Sequence, residues 1–233
     1  MNSDLTSSSP RRHGDILLVR HGETNGNRTK VLQQPTIPLN ENGHRQARKA
    51  GERIASTFKV AKILCSDLQR TQDTAAPIKE LTGAPLELTP LLQERNFGDL
   101  RGRPFSELHA EGVEVFHHGY QPPNGESVLT FADRVSQAWQ QILQAVREVP
   151  PGQVLVVVTH GLVLNQIAKT QLELAKEDLS ASIIAFRNTS ISLVDANCDA
   201  CRKKIIHIFN DDSHLSEEDR DPTFGQILGK AKI

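Results

Sequence analysis

Aromatic side chains make up only 4% of this 233-residue chain. No base-stacking platform stands out, so single-stranded nucleic acid is not an expected partner. Charge of one sign is also lacking: 27 basic and 28 acidic residues leave a net charge of −1. That excludes broad electrostatic capture of nucleic acid or an anionic membrane, while leaving a local basic pocket open. There are three cysteines, Cys65, Cys198 and Cys201, too few for a disulfide framework, and a reducing, cytoplasmic setting is expected. No apolar run approaches the roughly 20 residues of a membrane span. Arg11-Arg12 hints at an export signal, but the apolar run behind it is only Ile16 to Val19, short of the roughly 7–15 such a signal needs. The Ser-rich opening, 1–14, reads as a disordered tail.

What is present is alternation. "DILLV" (15–19), "AKILCS" (61–66) and "QVLVVVT" (153–159) are continuous apolar runs, the pattern of strands buried on both faces. Between them lie helical patterns. One runs from about Asn40 to Thr57, and another from Leu68 to Leu81, stopped by Gly83 and kinked by Pro77. The best runs from about Val128 to Val146 through Ala132, Val135, Trp139 and Ile142. "LVLNQIAKTQL" (162–172) follows the last of those strands, and "SISLVDA" (190–196) with "KKIIHIF" (203–209) predicts a hairpin. This order predicts an α/β fold, a three-layer α/β/α sandwich around a mostly parallel sheet. One domain over 15–215 is expected, with an irregular insertion at about 96–127 able to cover a site. A short helix and a loose tail are expected over 210–233, with the C-terminal tail proper at 216–233.

In such a sheet, ligands bind beyond the carboxyl ends of the strands. After the first run comes Arg20-His21-Gly22, after the second Ser66-Asp67-Leu68-Gln69-Arg70, and after the third His160-Gly161. Two arginines and two histidines therefore converge on one edge. Arginine offers a fixed fork of donors that matches phosphate oxygens and keeps its charge. Neutral imidazole is a competent nucleophile, and a phosphohistidine splits one hard displacement into two easier ones. Phosphoryl transfer needs mainly in-line positioning and charge neutralisation, which such a cluster supplies without a metal. The leaving oxygen still needs a proton. Glu94 in "LLQERNFGDLRG" is the candidate, although two nearby arginines would ordinarily lower its pKa.

Taken together, these blocks resemble the histidine phosphatase superfamily, in its phosphoglycerate mutase-like branch, over roughly Asp15 to Leu215. "LVRHGETNGN" matches the signature, and the resemblance implies that His21 is the phosphohistidine with Arg20 and Asn27 in the phosphate pocket. "CSDLQRTQDTA" assigns Arg70 to that pocket, "LLQERNFGDLRG" carries the acid Glu94, and "VVTHG" supplies His160, with Gly161 beside it at the substrate. "PPNGES" and "FNDDSHL" sit where family members carry similar strings. The family contains mutases and phosphatases, and the stretch from Glu94 to His160 looks like the shorter, phosphatase-type insertion. Two departures stand out: Gly26 replaces a bulky aromatic, and Gln33-Gln34 stands where mutases carry a substrate-contacting Thr-Gly pair, which puts Gln33 at the substrate. The resemblance implies a phosphatase acting on a small phosphorylated metabolite such as a sugar phosphate; no cofactor or metal is expected, and a homodimer is left open. A phosphoglycerate mutase is the alternative. From another class, a non-catalytic module could keep the pocket to bind phosphorylated ligands.

Other features have plainer readings. The Cys198 and Cys201 pair lacks the second pair a zinc site normally needs; two ordinary thiols in a hairpin turn are expected. His117-His118 is expected to be exposed in the insertion. Arg101 and Arg103 could reach a second phosphate or a carboxylate, though solvated charge is the default. The acidic run from Asp211 to Asp221 is expected to face solvent.

Overall fold

In the computed structural model, residues 13–117, 119–174, 185–197 and 203–220 are described. Cys198 and Cys201, His118, and most of the tail expectations at 1–14 and 216–233 lie outside them. Seven strands form one sheet: β1 (Asp15–Arg20), β2 (Val60–Ser66), β3 (Leu86–Thr89), β4 (Val154–Thr159), β5 (Leu172–Leu174), β6 (Ile191–Asp195) and β7 (Lys204–Asp211). Their order is β3-β2-β4-β1-β6-β7-β5. β3, β2, β4 and β1 pair in parallel, and β6 and β7 form the antiparallel hairpin. The sheet is mostly parallel, as the sequence predicts.

Alternation along the strands explains the continuous apolar runs. Ile16, Leu18, Leu64, Leu155 and Val157 pack into one core, and Leu17, Val19, Ile63, Cys65, Val156 and Val158 into another. Successive side chains point to opposite faces, so a strand covered on both sides needs apolar residues throughout. α5 (Val128–Arg147) lays Phe131, Val135, Trp139 and Ile142 on the first core, together with α6 (Gly161–Gln171). α2 (Glu41–Thr57) and α3 (Gln69–Thr82) cover the second with Ile54, Ala75 and Ile78. Each large apolar side chain buried this way contributes roughly 1.5–3 kcal/mol. α3 continues through Pro77 and ends at Gly83, whose φ of 69° supplies the left-handed cap.

The remaining helices are short: α1 (Asn25–Arg28) and α4 (Phe105–Ala110). α4 and a 3₁₀ turn at Gly98–Leu100 lie inside the insertion, whose Phe97, Leu100, Leu108 and Val115 form a small separate core with Leu32. Elements of three to six residues are too short to show periodicity, and β3 and β5 escaped the sequence for the same reason. Of the acidic run, Asp212 and Asp219 are buried rather than solvent-facing. Arg187 reaches Asp212 at 2.8 Å, and Arg45 reaches Asp219 at 3.3 Å with Lys49 also on it. These partners, distant in sequence, offset the loss of water. His13 and Gly14 pack onto the domain, with Gly14 N–H donating to the Val149 carbonyl at 2.9 Å.

Candidate active site

Register assembles the site. β1 and β4 pair with Arg20 opposite Thr159, so the next residues, His21 and His160, leave the sheet side by side. Their rings stand 5.2 Å apart at 58°. β2 ends at Ser66, and the first turn of α3 brings buried Arg70 back over the same edge. The chain after His21 must clear α2 closely. A Cβ on Gly22 would sit 2.7 Å from the Gly43 carbonyl, and one on Gly43 would collide with the Glu23 carbonyl. Glycine at both positions lets the loop seat there.

His21 Nδ1 lies 2.7 Å from the Gly22 carbonyl. A carbonyl only accepts, so Nδ1 carries the proton and the Nε2 lone pair is free to attack. Burial, then Arg70 and Arg20, hold the His21 pKa well below its ordinary 6.5, which keeps the ring neutral. The His21 carbonyl accepts from Asn188 Nδ2 at 2.9 Å, fixing the backbone on the other side.

Ser66 faces His160. Its Oγ accepts from Leu68 N–H at 3.4 Å and lies 2.9 Å from His160 Nε2, the acceptor its own proton reaches among the described residues; we take the hydroxyl as the donor. The His160 proton then sits on Nδ1, a buried atom with no hydrogen-bond partner among the described residues. It is a donor awaiting an acceptor. Ser66→Ala is expected to lower kcat/KM about 3- to 10-fold, the scale of one hydrogen bond. Unchanged kinetics would show that Ser66 does not set the tautomer.

Two guanidiniums complete the electropositive floor. Arg20 Nη1 donates to the Phe186 carbonyl at 2.6 Å, and Arg70 Nη1 to the Gln34 carbonyl at 3.3 Å. Burial lowers Arg70 to about 10, with Arg20 and Arg101 repelling it and Glu94 acting the other way; it remains charged at neutral pH.

Glu94 departs from the sequence expectation. It lies deep among protein atoms, although some of its surface stays accessible. Oε1 accepts from Arg95 N–H at 3.0 Å and Oε2 from Leu162 N–H, in the first turn of α6, at 3.1 Å. These bonds and both arginines favour the carboxylate, but desolvation outweighs them and raises its pKa. The protein alone thus biases Glu94 toward the acid form. Arg134 braces this loop, donating to the Leu91 and Gln93 carbonyls at 2.9 and 2.8 Å while ion-paired with Glu126.

Asn27 and Gln33 stand one layer out. Thr24 and Asn27 form the capping box of α1, and Asn188 Nδ2 lies 3.4 Å from Asn27 Oδ1, tying it to the His21 backbone. Gln33 Oε1 accepts from Thr24 Oγ1 at 2.9 Å, and its Cγ occupies the space above Gly26, 2.6 Å from where a Cβ would be. The two departures therefore complement each other. Gly161 packs on Arg20, its Cβ position 3.5 Å from Nε. Sequence reasoning missed Asn188 and Arg134, and the role of Ser66.

Burial also lowers His160 well below 6.5 and His214 to about 4. Below pH 6.5 the unfolded histidines bind protons that the folded rings refuse. Stability present above that value is lost as pH falls, at up to about 1.4 kcal/mol per pH unit for each ring. Glu94, raised, works in the opposite sense. The thermal midpoint is expected to fall between about pH 7 and pH 5; a rise would contradict these neutral, buried rings.

The fold and the paired His and Arg residues at its carboxyl edge define a class. The chain belongs to branch 1 of the histidine phosphatase superfamily, which it matches over residues 16–209. Phosphoglycerate mutase-like protein 4 of Arabidopsis thaliana is 31% identical over 217 residues, spanning 88% of each chain. The probable phosphoglycerate mutase GpmB of Erwinia tasmaniensis is 34% identical over 188 residues, covering 77% of this chain and 84% of its own. Among solved structures, TTHB049 from Thermus thermophilus superposes with a TM-score of 0.58 at 29% identity, covering 78% of this chain and 93% of its own. A mycobacterial glucosyl-3-phosphoglycerate phosphatase complexed with VO3 reaches a TM-score of 0.70 at 23% identity, covering 84% and 99%, and shares the fold. Members of the superfamily are phosphatases or mutases. No helix among the described residues is long and apolar enough to cross a membrane.

Proposed function

We propose that the chain is a phosphatase that hydrolyses the phosphate monoester of a small metabolite through a phosphohistidine on His21. The observation that carries this reading is the Nδ1 contact of His21 to the Gly22 carbonyl at 2.7 Å, which leaves Nε2 as the nucleophile beside two arginines and a donor histidine. In the first step Nε2 forms a bond to phosphorus as the ester P–O bond breaks, and Glu94 gives its proton to the leaving alcohol. Arg20, Arg70 and the Nδ1–H of His160 neutralise the phosphoryl oxygens. In the second step water attacks phosphorus, Glu94, now a carboxylate, takes its proton, and the P–N bond breaks. Asn27, Gln33 and Gly161 shape the pocket around the transferred group.

The names of the relatives favour a second reading, a mutase, in which the phosphoryl group returns to a phosphoglycerate instead of going to water. The test is a panel of phosphorylated metabolites assayed for inorganic phosphate, with 3-phosphoglycerate run with and without a bisphosphoglycerate primer. Phosphate release supports the phosphatase; isomerisation without release would replace it with the mutase. Release from no ester, p-nitrophenyl phosphate included, would leave a binding module.

A further inference from the structure

We propose that Gln46 is a positioning residue for the nucleophile: its side-chain amide links the peptide next to His21 to the carbonyl of Asp219, completing a relay of hydrogen bonds that starts on the His21 ring. This deepens the phosphatase reading and rests on it for the role of His21, while the bonds themselves can be read in the resting protein.

Gln46 lies on the face of α2 that otherwise carries Gly43, Ala47, Ala50 and Ile54, and it is fully buried. A polar side chain in such a stripe costs free energy unless both ends of its amide are bonded. Both are. Oε1 accepts from Glu23 N–H at 2.8 Å, and Nε2 donates to the Asp219 carbonyl at 2.6 Å. These partners lie 23 and 173 positions away.

The first partner matters because of what else its peptide does. Glu23 N–H and the Gly22 carbonyl belong to one peptide group, and that carbonyl accepts from His21 Nδ1–H at 2.7 Å. Two amides therefore stand in series behind the ring, each accepting at its oxygen and donating at its nitrogen in the same sense. Bonds in such a chain polarise one another, by roughly 10–30% each. The bond from Glu23 N–H to Gln46 makes the Gly22 carbonyl a better acceptor. That holds the proton on Nδ1, fixes the ring orientation and enriches Nε2, the attacking atom.

The far end is anchored independently. Asp219 closes a 3₁₀ turn at Glu217–Asp219. Its carbonyl also accepts from Asn42 Nδ2 at 3.1 Å, and its carboxylate is held by Arg45 at 3.3 Å and by Lys49. Asn42, Arg45 and Lys49 of α2 thus grip the turn, and Gln46 carries the contact inward to the nucleophile.

Gln46→Met keeps the bulk and removes both bonds. It is expected to lower kcat/KM about tenfold, the scale of a buried donor left unsatisfied, while the inhibition constant of inorganic phosphate, which the arginines hold, stays at its wild-type value. With ¹⁵N-labelled histidine, the ligand-free wild type should show a downfield Nδ1–H resonance for His21; in Gln46→Met it should move upfield or be lost to exchange. Gln46→Glu keeps an oxygen for Glu23 N–H, and burial favours its neutral form, which also donates to the Asp219 carbonyl. It should restore most of the rate and the resonance. If Gln46 only fills space, Gln46→Met leaves both unchanged; if it only stabilises the fold, the rate and phosphate inhibition weaken together. Either result overturns the relay. Should Gln46→Met not fold, the wild type decides: a scalar coupling across the hydrogen bond from the Glu23 amide nitrogen to the Gln46 side-chain carbonyl carbon supports the relay, and its absence overturns it. If no ester is hydrolysed but the His21 resonance depends on Gln46, the phosphatase reading fails while the relay stands.

Discussion

His21→Ala is expected to abolish turnover, lowering kcat by roughly 10⁴-fold or more, the scale on which loss of a covalent nucleophile is felt. Brief incubation of the wild type with ³²P-labelled substrate and an alkaline quench should leave a label that is stable to base and lost in acid, as a phosphorus–nitrogen bond requires; the variant should carry none. The fold should survive, because the ring contributes one hydrogen bond to the adjacent Gly22 carbonyl. Its neighbours are fixed independently, Gly22 N–H by Thr74 Oγ1 at 2.9 Å and the His21 carbonyl by Asn188. Labelling that persists in the variant would exclude His21 as nucleophile. His160 is the other ring within reach, but its Nε2 is occupied by Ser66 and its Nδ1 carries the proton. It is therefore cast as a donor, and His160→Ala should retain labelling at a reduced rate.

The residues that meet at this edge were legible for a physical reason. Arg20, His21 and His160 each follow an unbroken apolar run, and such runs are buried strands whose ends define the ligand edge of an open sheet. Arg70 was legible because it lies within five residues of the second run. Glu94 was less so: it follows a four-residue strand and a 3₁₀ turn, neither of which leaves a periodic trace, and the need for a proton donor and its resemblance block single it out, not its place after a strand. The direction of its pKa was hidden as well. Sequence displays the neighbouring arginines, whereas desolvation is a property of everything packed around the carboxyl group. Ser66, Asn188 and Arg134 act through partners 94, 167 and 41 positions away, and no local pattern announces such pairs. Asp212 and Asp219 misled for the opposite reason, since an acidic run looks solvated until Arg187, Arg45 and Lys49 are brought onto it.

Glu94→Gln separates the two proton transfers. The amide keeps the size of the acid and can still accept from one of the Leu162 and Arg95 N–H groups through its single oxygen, but it has no acidic proton to give. With an alkyl phosphate the leaving alkoxide is strongly basic, and the rate of the first chemical step is expected to fall about 10²- to 10⁴-fold, the range of general acid catalysis. With p-nitrophenyl phosphate the leaving phenolate needs little help, so the first turnover should be nearly as fast as in the wild type. Steady-state turnover should slow even there, because the second step has lost its base. The signature is a burst of p-nitrophenol followed by a slow phase, which rapid mixing resolves. The pH profile carries the same information. In the proposed mechanism Glu94 must be protonated in the free enzyme, and its pKa is raised above 4.5, so kcat/KM for an alkyl phosphate is expected to decline as pH rises through that raised value. The acid limb is expected to come from His21, whose lowered pKa keeps the ring neutral well below 6.5. Glu94→Gln should erase the alkaline limb and leave the acid limb in place. Equal losses on alkyl and aryl esters in the first turnover, or an alkaline limb that survives the substitution, would move the proton source away from Glu94.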